Sequence, residues 1–232
     1  MIRSLRVARQ TAIRARTQAI NATKALLVTA PVELREQLRG LPATMLVPAA
    51  AALEPGAITS PLAAAMLALR TVAQRYQALD AEVTTLTAEL DRLVATAAPK
   101  LVALFGAGQD SAGALLVAAG DNPDRLHSEA AFSMLCGSSP IEASSGKTLR
   151  HRLNRGGNRQ ANAALYRIVL VRLRYHQPTK RYVARRTAEG KSQREIRRCL
   201  KGSVARQLHR LLERTAVPAT GPGRLVSPEV QT

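Results

Sequence analysis

The feature that most constrains this chain is a heptad run that follows Ser60-Pro61. Leu69, Val72, Tyr76, Leu79, Val83, Leu86, Leu90, Leu93 and Ala97 alternate spacings of three and four without a break. Only a helix brings residues at those spacings onto one face, and a run of this length predicts a coiled-coil partner. Ser60 supplies an N-cap and Pro61 fits the first turn, so the helix is predicted over 61–98. At about 1.5 Å per residue it spans about 57 Å. Pro99 ends it. A second seam lies upstream. Leu5, Ala8, Ala12, Ala15, Ala19, Ala22 and Leu26 repeat the same spacing and predict a helix over about 2–28, with no capping sequence before it. Its alanines permit close helix approach. The two helices are expected to pair, either antiparallel in one chain or between two protomers.

The rest of the chain is punctuated. Pro31, Glu33 and Glu36 open a short helix that Gly40 closes. Residues 41–59, with Pro42, Pro48, Pro55 and Gly56, read as a Pro/Ala-rich connector. Beyond Pro99, Ser128 caps a helix over 129–136 that Gly137 stops, and Asn158 precedes a helix over about 159–175. Pro178 breaks that helix, and another follows over about 180–188. Ser192 and Glu195 form a capping box, and Gly202 separates a last helix over about 203–214. The tail 215–232 reads as disordered. No strand alternation is evident, so the class is all-α. The domains expected are a coiled-coil and oligomerisation region over 1–99, a small basic helical domain over 100–214, and the tail.

Charge gives the partner. The 232 residues carry 34 Lys+Arg against 16 Asp+Glu, a net +18. Nearly all of the excess follows Gly146: residues 147–214 hold 20 basic and 3 acidic side chains. A localised block rich in arginine predicts a phosphate-binding face and so a nucleic-acid partner. Aromatic residues make up only 3 % and Trp is absent, which argues against a stacking platform for single strands. A hydrophobic content of 46 % excludes wholesale disorder. No apolar run reaches membrane-spanning length. Residues 1–32 lack acids, as presequences and membrane-surface helices do, but their apolar positions are mostly Ala, too small to anchor in lipid. With no secretory signal pattern, the cytoplasm is the expected compartment. Cys136 and Cys199 make no disulfide framework. The histidines His127, His151, His176 and His209 show no ligand spacing and read as surface residues, so no metal or cofactor is expected on this chain.

Three stretches could carry chemistry. Gly106-Ala107-Gly108 enters a helix as the turn of a helix-hairpin-helix does, where backbone N–H groups can meet a phosphate; an ordinary C-cap followed by a loop is equally consistent. Ser144-Ser145-Gly146-Lys147, with Arg150 and Arg152 downstream, suits a nucleophile beside an anion clamp. A flexible Ser/Gly loop is the plainer meaning of that composition. Asn154-Arg155-Gly156-Gly157-Asn158-Arg159 presents a helix start flanked by two arginines, a further phosphate seat.

Taken together these stretches resemble the C-terminal part of transposases of the insertion-sequence-110 family, which includes the pilin-gene invertases. The resemblance runs from LVALFGAGQDSAGALLVAAGD, through SEAAFSMLCGSSPIEASSGKTLRHRLNRGGNRQANAALY, to RYVARRTAEGKSQREIRRCLK. Residues 1–38 resemble the start of the family's central coiled coil. The resemblance implies DNA transposition and recombination through a serine that joins covalently to a DNA phosphate. By position that serine is Ser145, with Ser144 as the fallback. It also implies a structured guide RNA as partner, and homo-oligomers built through the coiled coil, possibly mixed with full-length transposase. The family's Mg²⁺ is held by an N-terminal ribonuclease-H-like domain with four acidic residues. Nothing in residues 1–32 matches it, so Mg²⁺ is expected only through that missing domain. The leading expectation is a truncated transposase with little activity alone. The alternatives are a chain that lends Ser145 in trans, or a non-catalytic repressor of the intact element.

Overall fold

The computed structural model describes residues 1–120, 126, 128–147, 151–152 and 154–213, without the side chains of His151 and Glu213. The chain divides into two compact units, Met1–Leu93 and a second that begins at Val94.

In the first unit, α1 (Ile2–Thr29) and the long α4 (Pro61–Ala97) run antiparallel within one chain. Two polar contacts set their register. Arg9 Nη1 donates to Thr87 Oγ1 at 3.5 Å, and Arg16 forms an ion pair with Asp80. Each pair of positions sums to the same number, as the two antiparallel helices of one hairpin would give. Ser60 Oγ accepts from Ala63 N at 3.2 Å, the cap the sequence promised. The α1 seam is narrower than the heptads suggest: Ala12, Ala19 and Thr23 are buried, while Ala8 is exposed.

The expected connector is largely helical. After α2 (Val32–Leu38), residues Ala43–Ala51 form α3, with Pro48 inside it. Proline there removes a donor that would have bonded to residue 44, and tertiary burial overrides the loss. Leu46, Val47 and Ala50 are buried with Leu34 and Leu38 of α2 and Leu69 and Ala73 of α4. Burying a leucine side chain contributes about 1.5–3 kcal/mol, so this cluster outweighs poor local propensity.

The second unit centres on α8 (Arg159–Tyr175). Against it pack α6 (Gln109–Ala119), α9 (Gln177–Ala188) and α10 (Gln193–Glu213), while α5 (Pro99–Val102) and α7 (Glu129–Leu135) pack on α10. Small residues let α6 lie close to α8: Ser111, Ala112, Gly113 and Ala114 are buried, as are Ala161 and Ala164 opposite. Phe132, Leu165, Ile168, Ile196 and Leu208 complete the core. His209 is 2 % exposed, not a surface residue, and its Nε2–H donates to the Leu126 carbonyl at 2.8 Å. The expected helix caps form. Ser128 Oγ accepts from Ala131 N, Asn158 Oδ1 accepts from Gln160 N and Ala161 N, and Ser192 and Glu195 bond reciprocally.

Three expectations change. The all-α class stands, but β1 (Ile141–Glu142) and β2 (His151–Arg152) form a two-residue antiparallel ladder. Pro178 does not leave a gap, since it sits in the first turn of α9, where its missing donor is unneeded. Gly202 does not divide the last helix, because α10 continues through it, sealed by Leu200, Val204 and Ala205 in the core. The tail 215–232 lies outside the described residues.

Gly202 therefore carries only the entropic cost of glycine in a helix. A Cβ there would meet nothing closer than Arg206 Nη1 at 3.9 Å. Gly202→Ala is expected to stabilise the chain by about 0.5–1 kcal/mol, read by denaturant unfolding.

Candidate nucleic-acid interface

The serine stretch is a hairpin loop. β1 and β2 pair with Ile141 opposite Arg152 and Glu142 opposite His151, and residues 143–147 follow directly on β1. Ser145 and Lys147 are exposed and Ser144 is half-buried. Gly146 has φ +56, in the left-handed region, with open space where a Cβ would stand. Glycine is required there by backbone conformation, not by crowding. Arg150 lies outside the described residues. Arg152 is exposed on β2.

The hairpin stands on a tightly stapled base. Ser138 N and Ser139 N both donate to the Ser133 carbonyl, at 2.9 and 3.3 Å. Gly137 and Gly157 then cross backbone to backbone. A Cβ on Gly157 would overlap Gly137 N and Cα and stand 3.0 Å from the Leu135 carbonyl. Three asparagines fasten the crossing. Asn154 Nδ2 donates to Met134 O at 3.2 Å while its Oδ1 accepts from Gly156 N at 2.9 Å. Asn158 N donates to Leu135 O at 2.7 Å. Asn162 Nδ2 donates to Cys136 O at 2.8 Å and Gly137 O at 3.1 Å, and its Oδ1 accepts from Lys201 Nζ at 2.8 Å.

That bonding gives the Arg-Gly-Gly-Asn stretch a structural task. The N–H groups of Gly156, Gln160 and Ala161 are already bonded to asparagine side chains, so they are not free to cradle a phosphate. Arg155 and Arg159 remain exposed beside them. The Gly-Ala-Gly turn is likewise engaged. Gly106 (φ +86) packs against α8, where a Cβ would stand 3.1 Å from Ile168 O. Gly108 is exposed and begins α6, whose first turn carries Asp110, paired with Arg167 at 2.6 Å. An acid at that helix start competes with an incoming anion.

The cations converge elsewhere. A groove of about 820 Å³ opens between the hairpin base and helices α9 and α10. Gly137, Ser138, Ser139 and Arg152 line one side. Arg172 of α8, Arg186 of α9, and Lys191, Arg198, Lys201 and Arg206 at or on α10 supply further positive charge, against the single carboxylate of Glu195. Glu195 is held below the usual carboxylate range by hydrogen bonds from Ser192. Lys201 is pushed down by burial. The α9 and α10 cations were not singled out from the sequence, although Arg198, Lys201 and Arg206 recur along one helix within the basic block. Their convergence with Arg152 depends on how α10 packs.

Residues 98–184 match the model of the Transposase IS116/IS110/IS902 family. That stretch is similar to the transposases of this family. It spans the Gly-Ala-Gly turn, the serine hairpin, the stapled crossing and part of the groove. No curated protein matches the chain. The family is one of insertion sequences and acts on DNA, which suits the charge of the groove. Among the described residues, no group of three or more His, Cys, Asp or Glu could hold a metal ion, and no helix is long and apolar enough to cross a membrane.

Two outcomes follow for the second unit. Gly157→Ala forces backbone apart and is expected to cost about 1–3 kcal/mol or more, measured by urea unfolding. Burial also pushes the Cys136 thiol up from 9.0 to about 12, opposed by Lys201. The unfolded thiol ionises first as pH rises, so this contribution is full below about 9 and is lost between 9 and 12. The stability lost by wild type over that window should be smaller in Cys136→Ala, read as unfolding midpoint against pH.

Proposed function

We propose that this chain is the DNA-binding and serine-bearing part of an insertion-sequence transposase, with Ser145 as the nucleophile and Ser144 as the fallback. The observation that carries this proposal is an exposed serine on a hairpin whose second strand delivers Arg152 to the mouth of a basic groove. A strand whose phosphates lie in that groove leads to the hairpin. In the reaction, Ser145 Oγ bonds to a DNA phosphorus as the bond to a deoxyribose oxygen breaks; the serine proton passes to water, and the departing oxygen takes a proton back from water. One phosphoester replaces another, so the linkage can later be re-formed on a new strand. Cations near the phosphate stabilise the added negative charge. The described residues offer no cluster of three or more His, Cys, Asp or Glu that could hold Mg²⁺.

Lys147, Arg150, Arg152, Arg155 and Arg159 are proposed as DNA contacts. Gly106, Gly108, Gly156, Gly157 and Asn158 support the backbone that carries them. The helical hairpin of α1 and α4 is proposed to assemble copies of the chain, alone or with a longer transposase, and a structured RNA is the proposed guide. In this proposal the chain has little strand-transfer activity by itself and lends Ser145 to a partner.

The test mixes this chain with a longer family transposase whose own nucleophilic serine is changed to alanine, plus the element's RNA and labelled end DNA. A covalent protein–DNA adduct on a denaturing gel is expected with the wild-type chain and none with Ser145→Ala. An adduct that survives Ser145→Ala and disappears in Ser144→Ala moves the role to Ser144. No adduct in any mixture, with repression of the element that survives Ser145→Ala, would make the chain a binding regulator instead. In either case Arg198→Gln with Arg206→Gln should weaken DNA binding and lower the salt slope by about 2.

A further inference from the structure

Arg172 is only 7 % exposed. A buried guanidinium is costly unless its charge is matched. Its Nε donates to the Phe105 carbonyl at 2.9 Å and its Nη1 to Gln207 Oε1 at 2.9 Å. Both acceptors are neutral. No carboxylate among the described residues pairs with it, whereas Arg167 on the same helix has Asp110 at 2.6 Å. Burial pushes the Arg172 guanidinium below its ordinary range, and no acid offsets that.

The surroundings hold this cation in one orientation. Gly106, at φ +86, brings its chain within reach of α8, and a Cβ there would stand 3.5 Å from Arg172 Cγ. That approach aims the Phe105 carbonyl at Nε. The Phe105 ring in turn lies 5.0 Å from the His176 ring, and His176 Nδ1 is 2.8 Å from Thr179 Oγ1. The Nη2 group has no hydrogen-bond partner among the described residues. Arg172, His176 and Gln207 all line the basic groove. A small anion could match the charge of Arg172, but a polyanion would also engage the exposed Lys191, Arg198 and Arg206 along the same groove.

We propose that Arg172 is a buried seat for one backbone phosphate of a bound nucleic acid, a fixed point distinct from the serine hairpin. This deepens the DNA-binding proposal and rests on it. The phosphodiester supplies the counter-charge that the fold withholds, so binding at this seat discharges an unpaired buried cation. Gly106 acts as a positioning residue, through the Phe105 carbonyl, and does not itself touch the phosphate. The same chemistry serves DNA and the guide RNA.

The test is Gln207→Glu. The change is isosteric and sets a carboxylate against Nη1, so it should hold or raise the melting temperature while occupying the charge the phosphate would use. Fluorescence anisotropy with labelled DNA and labelled RNA of one sequence is the measurement. Affinity at low salt is expected to fall roughly tenfold, with the salt slope lowered by about 1. Ser203→Glu is the control, because it adds the same charge to the groove on the same helix. A loss with Gln207→Glu no larger than with Ser203→Glu overturns the seat. A larger loss confined to DNA or to RNA supports it and assigns its occupant. Wild-type protein that binds neither nucleic acid overturns the DNA-binding proposal itself, and the seat with it.

Discussion

The backbone crossing of Gly137 and Gly157 governs the geometry of the second unit. Two chains meet there with no side chain between them, and a single Cβ would force them apart. The crossing ties the end of α7 to the start of α8. Three elements of the second unit are anchored at that knot. The serine hairpin begins immediately after Gly137. The core helix α8 begins immediately after Gly157, and α10 is drawn in by the bond from Lys201 to Asn162. Asparagine suits this knot because one short side chain both donates and accepts. Asn162 uses its amide for two carbonyls and its oxygen for a lysine, so none of those buried groups is left unpaired.

Around that knot the fold separates charge from compensation. Among the described residues, four acids of this unit are engaged in surface pairs or caps: Asp110 with Arg167, Glu129 with Arg210, Glu189 with Arg186, and Glu195 with Ser192. Exposed pairs of this kind are worth little to stability. Among the described residues the groove keeps its cations with a single carboxylate, and its most buried cation, Arg172, bonds to neutral partners. An arrangement that repels itself in the free protein is stabilised when a polyanion arrives.

Much of the fold was legible because it obeys local rules. The heptads of α4, its Ser-Pro start, the Ser128 and Asn158 caps and the Ser192–Glu195 box each depend on residues within one turn of one another. Where the expectation missed, a distant contact decided. Residues 43–51 look like a connector by composition, yet a shared core with Leu34, Leu38 and Leu69 makes them helical. Gly202 looks like a stop, yet Val204, Ala205 and Leu208 hold α10 together across it. His209 looks like a surface residue, yet it is buried against Phe132 and bonded to Leu126. The two-residue ladder at 141–142 is too short to leave an alternating pattern.

At the candidate site the division is sharper. The sequence determined that a basic, arginine-rich helical domain follows a long heptad helix, and that a serine loop and an Arg-Gly-Gly-Asn turn sit within it. Composition and spacing carry that information because charge and helical period are local properties. Only the tertiary structure decided that the glycines serve close approach and backbone conformation, that asparagines consume the helix-start donors, and that the cations of α9 and α10 face Arg152. It alone left Arg172 buried with no acid beside it among the described residues. Those facts depend on which surfaces meet, and no residue's neighbours along the chain state what will lie across from it.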